Sequence, residues 1–60
     1  MIKIIRVGKF VRVDNYLVNL DSLNTLSYGD QCCIVTDNSI HFIEMDELDF
    51  NRLCDIVLGD

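Results

Sequence analysis

Apolar residues between positions 2 and 45 fall into short runs rich in Ile, Val, Leu, Tyr and Phe. The runs are parted by Gly8-Lys9, Asp14-Asn15, Asp21-Ser22, Gly29-Asp30 and Asp37-Asn38. Such pairs favour turns, whereas β-branched and aromatic residues suit a pleated, half-buried surface. The pattern predicts strands at Ile2 to Val7, Phe10 to Val13, Tyr16 to Leu20, Leu23 to Tyr28, Gln31 to Thr36 and Ser39 to Met45. If Gly8 marks a bulge instead of a turn, the first two runs join into one long bent strand.

The period changes after Met45. Phe50, Leu53, Cys54 and Val57 recur at i, i+3, i+4 and i+7, with Leu58 beside them and Asn51, Arg52 and Asp55 on the other side. That spacing predicts an amphipathic helix. Asp46 suits its N-cap, Glu47 and Asp49 place negative charge at the positive end of the helix dipole, and Gly59 suits the stop. The expected fold class is therefore α+β: an antiparallel β-meander of about five short strands packed by one C-terminal amphipathic helix, as a single small domain over residues 1–60. One stretch fits two descriptions. Leu17, Leu20, Leu23 and Leu26 recur every three residues, as in a helix, although strands are favoured across residues 15–27.

Length limits what this fold can hold. A chain of 60 residues buries only about 60% of the surface its unfolded form exposes, so a second copy or a partner is expected to complete the core. The first ten residues alternate apolar positions with Lys3, Arg6 and Lys9. They hold neither an uninterrupted signal core nor a membrane span. Three cysteines, two of them adjacent (Cys32 and Cys33) and one distant (Cys54), do not form the even, spaced framework of a disulfide-stapled secreted chain. Reduced thiols and a cytoplasmic location are expected.

Charge is divided along the chain. Residues 1–12 carry +4 and no acid, while residues 13–60 carry all ten acids and one base, for a net charge of −5. An acidic chain with one basic strand disfavours direct nucleic-acid binding. The strict spacing of Lys3, Arg6, Lys9 and Arg12 is the one pattern that points to a contact. Alternation along a plain strand would split these four between two faces, and only a bulge or turn near Gly8 gathers them. Charges on an edge strand also block unwanted sheet pairing, which explains the same residues without a partner.

Recognisable catalytic chemistry is missing from the sequence. Cys32, Cys33, Cys54 and His41 show no spacing of the kind that holds a metal, and His41 alternates with Ile40 and Phe42 as a half-exposed strand residue does. The acidic pairs Glu44 with Asp46 and Glu47 with Asp49 flank a helix start, where capping accounts for them. The three glycines form no phosphate-binding loop, so neither a cofactor nor a metal is expected.

These features lead to the expectation of a small non-catalytic regulatory protein. It would act by stoichiometric binding to a larger partner protein, with inhibition as the outcome, and would form a homodimer. The candidate contact residues are Lys3, Arg6, Lys9, Arg12, Glu44, Asp46, Glu47 and Asp49. A second possibility is an acidic mimic of nucleic acid that blocks a DNA- or RNA-binding protein. Its weakness is charge density, because a duplex carries one charge per ~1.7 Å, well above what nine net negative charges over residues 13–60 supply. A third is weak RNA or DNA contact through the basic strand, with Phe10 or Tyr16 stacking. The turn Asn19-Leu20-Asp21 identifies no family, while the lack of Ala and Pro beside seven Ile, five Asn and eight Asp resembles the composition of AT-rich phage genomes.

Overall fold

The computed structural model describes residues 1–59. The chain is α+β, with every strand pairing antiparallel. Strands β1 (Ile4–Val7), β2 (Phe10–Val13) and β3 (Tyr16–Asn19) form one three-stranded sheet in chain order. Strands β4 (Leu23–Tyr28), β5 (Cys32–Thr36) and β6 (Ile40–Ile43) form a second, and helix α1 (Glu47–Leu58) follows. The described residues thus hold six strands where about five were expected, and the meander breaks once, between β3 and β4.

A 3-10 turn at Leu20–Ser22 makes that break, and the Asn19 side chain accepts a hydrogen bond from the Asp21 N–H at 2.9 Å. The leucine spacing across residues 17–26 therefore runs strand, turn, strand, and describes no helical face. Gly8 lies at φ +58 between the paired residues Val7 and Phe10, so it opens a two-residue turn and is not a bulge. Asp14 takes a similar positive φ of 54 in the next turn.

Residues directly opposed on neighbouring strands share a face. Ile4, Val11, Val13 and Val18 of the first sheet face inward and meet Cys32, Ile34 and Ile43 of the second, with Leu53 of α1 closing the buried core. Phe50 and Val57 lean on this core half-buried, as the helical spacing implied, whereas Leu58 is exposed. Tyr28 ties the second sheet to the helix: its hydroxyl donates to the Met45 carbonyl at 3.0 Å and its ring stacks on Phe50 at 5.1 Å. Asp46 is the N-cap, accepting from the Asp49 N–H at 2.8 Å. At the other end the Gly59 N–H donates to the Asp55 carbonyl at 2.8 Å. A Cβ at Gly59 would stand 2.9 Å from that carbonyl oxygen, which explains glycine at this stop. Among the described residues no helix is long and apolar enough to cross a membrane.

Candidate functional site

The two-residue turn at Gly8-Lys9 decides where the basic residues go. It pairs Ile5 with Arg12 and Arg6 with Val11, so Arg12 shares a face with Ile5 while Arg6 shares the opposite face with the buried Val11. The next ladder adds Leu17 opposite Arg12 and Asn19 opposite Phe10. The outward face of the first sheet therefore consists of Val7, Phe10 and Asn19 in one row and Ile5, Arg12 and Leu17 in the next. Lys3, exposed, continues the alternation beyond Ile5.

This face is apolar as well as basic. Val7 is 73% exposed, Leu17 69%, Ile5 42% and Phe10 40%. The Lys9 ammonium stands 5.8 Å from the Phe10 ring centre and 3.5 Å from the Asp21 carboxylate. Arg12, on the central strand between Ile5 and Leu17, donates from Nε to the Asp14 carbonyl at 3.1 Å, which draws its guanidinium along β2. Of the four evenly spaced cations, Lys3 and Lys9 flank the outward face and Arg12 stands within it.

Arg6 departs from the expected group. Its Nη1 donates to the Ile56 carbonyl at 2.7 Å and to the Val57 carbonyl at 3.3 Å, and it also bonds the Gly59 carbonyl. A cation at the C-terminal end of a helix satisfies carbonyls left without intrahelical partners and complements the dipole. Arg6 is thus a tether between β1 and α1.

The acidic candidates also separate. Glu44, Asp46 and Glu47 are exposed around the helix start, with Asp46 occupied as the cap. Asp49 is 2% exposed. Its Oδ2 accepts the Ile2 N–H at 3.1 Å and its Oδ1 accepts Arg52 Nη1 at 2.6 Å. Burial pushes its carboxyl up, but the Ile2 and Arg52 bonds outweigh that and leave it below the usual carboxylate value. Arg52, expected to face away from the core, is half-buried against Asp49 and also reaches the Ile2 carbonyl at 3.3 Å. Asp49 is therefore withdrawn from any contact surface.

One polar cleft of about 210 Å³ lies between β3 and the β5–β6 hairpin, lined in part by Asn19, Thr36, Ser39 and His41. Ser39 Oγ sits 3.1 Å from His41 Nε2 and 2.7 Å from Thr36 Oγ1, and the Tyr16 ring lies 4.8 Å from the imidazole. Among the described residues no carboxylate orients His41, and the Ser39 hydroxyl is shared with Thr36 in closing the hairpin. Cys32 is buried, and its thiol is pushed up to about 11, first by burial and then by the neighbouring Cys33 and Cys54 thiols. Burial, followed by Asp55, also raises the Cys54 thiol. Thiols held protonated are poor nucleophiles. Among the described residues no three His, Cys, Asp or Glu side chains converge on a common point as a metal site requires.

Comparison of the chain with protein families, with curated proteins and with solved structures finds no match. The functional reading therefore rests on the surfaces just described.

Sequence reasoning missed the apolar half of the contact face, Ile5, Val7 and Leu17. The signal was present: Ile5 and Val7 alternate with Ile4 and Arg6, so one of the two apolar sets in β1 had to face outward once the strand lay on a core.

Proposed function

We propose that this chain is a small non-catalytic regulatory protein that binds a larger partner protein stoichiometrically and inhibits it, pairing with a second copy as it does so. The outward face of the first sheet is the contact surface. The observation that carries this reading is the exposure of Ile5, Val7, Phe10 and Leu17 on one sheet face that also presents Arg12 and is flanked by Lys3 and Lys9. Exposed apolar groups with a charged rim mark protein contact sites. The matching partner surface is apolar and carries acidic groups opposite Lys3, Lys9 and Arg12. The composition supports a phage or mobile-element source, and the three free thiols suit a reducing, cytoplasmic setting.

The test compares capture from host lysate by the wild-type chain with capture by a Val7→Glu/Leu17→Glu variant, after nuclease treatment and at two salt concentrations. A single protein retained by the wild type, released by salt and lost by the variant supports this reading. A nucleic acid retained in its place would assign the basic face to RNA or DNA, since Phe10 beneath Lys9 also suits base stacking. Competition by DNA for the captured protein, unaffected by the Val7→Glu/Leu17→Glu change, would favour the acidic mimic.

A further inference from the structure

The second sheet has an outward face of a different kind. Thr25 and Ser27 of β4, Cys33 and Val35 of β5, and Ile40 and Phe42 of β6 share it through the ladder pairs Thr25–Val35–Ile40 and Ser27–Cys33–Phe42. Ile40 is 60% exposed and Phe42 58%. None of the six carries a charge. We propose that this face is where two copies of the chain pair, sheet against sheet about a two-fold axis. The inference rests on the self-pairing part of the proposed function and names its surface.

Charge decides between the two sheets. In a two-fold contact the same patch meets itself, so each charge on it is brought towards its own copy. The face of the first sheet would confront Lys3, Lys9 and Arg12 with their counterparts, which suits an acidic partner and opposes self-association. The face of the second sheet is self-complementary: it has Val35 and Cys33 along its central strand, Ile40 and Phe42 along one side and two hydroxyl side chains along the other. The nearest charges in that register lie at the rim: Glu44, two residues past Phe42, and Asp37, two residues past Val35.

The packing geometry is that of a β-sandwich, whose sheets lie ~10 Å apart with apolar side chains interleaved. The molecule measures 25 × 23 × 19 Å, so one face offers less than the ~800 Å² per partner of a standard interface. The pair is therefore reversible and dilutes into monomers. Its salt response is opposite to that of the partner contact. Two copies each carrying −5 repel at long range, so screening strengthens self-pairing while weakening attachment to an acidic partner.

Sedimentation equilibrium of the full chain from low micromolar to millimolar concentration, at low and high salt, tests the proposal. The expected result is a monomer–dimer equilibrium that salt shifts towards dimer. Phe42→Glu should weaken it at least tenfold, Leu17→Glu should leave it unchanged, and circular dichroism should report both variants folded. If Phe42→Glu does not fold, Ile40→Lys serves in its place. In a Cys54→Ser background a short bis-maleimide should join Cys33 to Cys33 of the second copy. A chain that stays monomeric at millimolar concentration overturns this inference and the self-pairing reading together. A dimer that persists in Phe42→Glu or Ile40→Lys keeps self-pairing but moves it to another face, which overturns only the inference.

Discussion

Arg6 of β1 donates from Nη1 to the Ile56 carbonyl of α1 at 2.7 Å, and four residues earlier on the same segment the Ile2 N–H donates to Asp49 at 3.1 Å. Four residues of strand advance about 13 Å, and the seven residues from Asp49 to Ile56 advance about 11 Å along a helix. The two elements therefore run side by side in matched register, clasped at both ends. The polarity is correct at each end, with a carboxylate in the first turn of the helix and a guanidinium at its last carbonyls.

Replacing Arg6 by Met keeps the stem and removes the donors. The last turn of α1 then loses its tether, and unfolding free energy should fall by about 1.5–3 kcal/mol, the range for hydrogen bonds to a charged group. Amide exchange at Ile56 and Val57 should quicken more than at Leu53, which the core retains. Equal quickening along the whole helix would show that Arg6 is not a local tether.

The clasp also sets the acid limit of stability, and the buried thiol sets the alkaline one. Asp49 has a folded pKa below its unfolded value, so its contribution is present above about pH 4 and is lost as pH falls through the folded value. Cys32 has a folded pKa raised to about 11 from 9.0, so its contribution is present below pH 9 and is lost as pH rises towards 11. Thermal melts against pH should show a plateau between these limits. Asp49→Asn should flatten the acid edge, and Cys32→Ala should reduce the alkaline loss to the part that the raised Cys54 thiol contributes, each without moving the other edge.

Leu53 is the one buried apolar side chain of α1. Leu53→Ala should cost about 2–5 kcal/mol, as truncations in packed cores do. In a domain this small that approaches the whole stability, so the variant should be partly unfolded at 37 °C and Leu53→Asp unfolded throughout. A cooperative melt of Leu53→Asp at the wild-type temperature would contradict the packing.

The two positive-φ turn residues make opposite demands. Gly8, at φ +58, should lose about 1 kcal/mol on replacement by Ala, because a Cβ disfavours that backbone region. Asp14, at φ 54, is a tolerated exception, so Asp14→Gly should be close to neutral and Asp14→Val should cost about 1–2 kcal/mol. Urea titrations of the three variants check this order.

Periodicity made the helix legible: the spacing of Phe50, Leu53 and Val57, the cap at Asp46 and the stop at Gly59 all stand as read. Strand positions were legible for the same reason, since turn pairs interrupt them at nearly every boundary. The break into two sheets was not, because a three-residue 3-10 turn at Leu20–Ser22 leaves the same polar mark as a hairpin turn. Nor were the roles of Arg6, Asp49 and Arg52. Their bonds span about fifty residues of sequence, and only the register of β1 along α1 brings them together. A charged residue read locally looks like surface, and its long-range partner decides otherwise.

The contact face gives the last prediction, a ranking among its charges. Arg6 is engaged with the helix carbonyls and Lys9 is 3.5 Å from Asp21, which leaves Lys3 and Arg12 as the cations most open to a partner. Charge reversal at Lys3 or Arg12 should slow association and reduce its salt dependence, with a smaller effect for Lys9→Ala. Leu17→Glu and Val7→Glu should act on dissociation, because apolar groups desolvated in a contact hold the complex once it is formed. All five sites are exposed, so melting should shift by no more than about 0.5 kcal/mol in stability. Surface plasmon resonance against the captured partner separates the two effects. Equal losses at Lys9 and Arg12, or affinity unchanged in Leu17→Glu, would place the contact elsewhere on the chain.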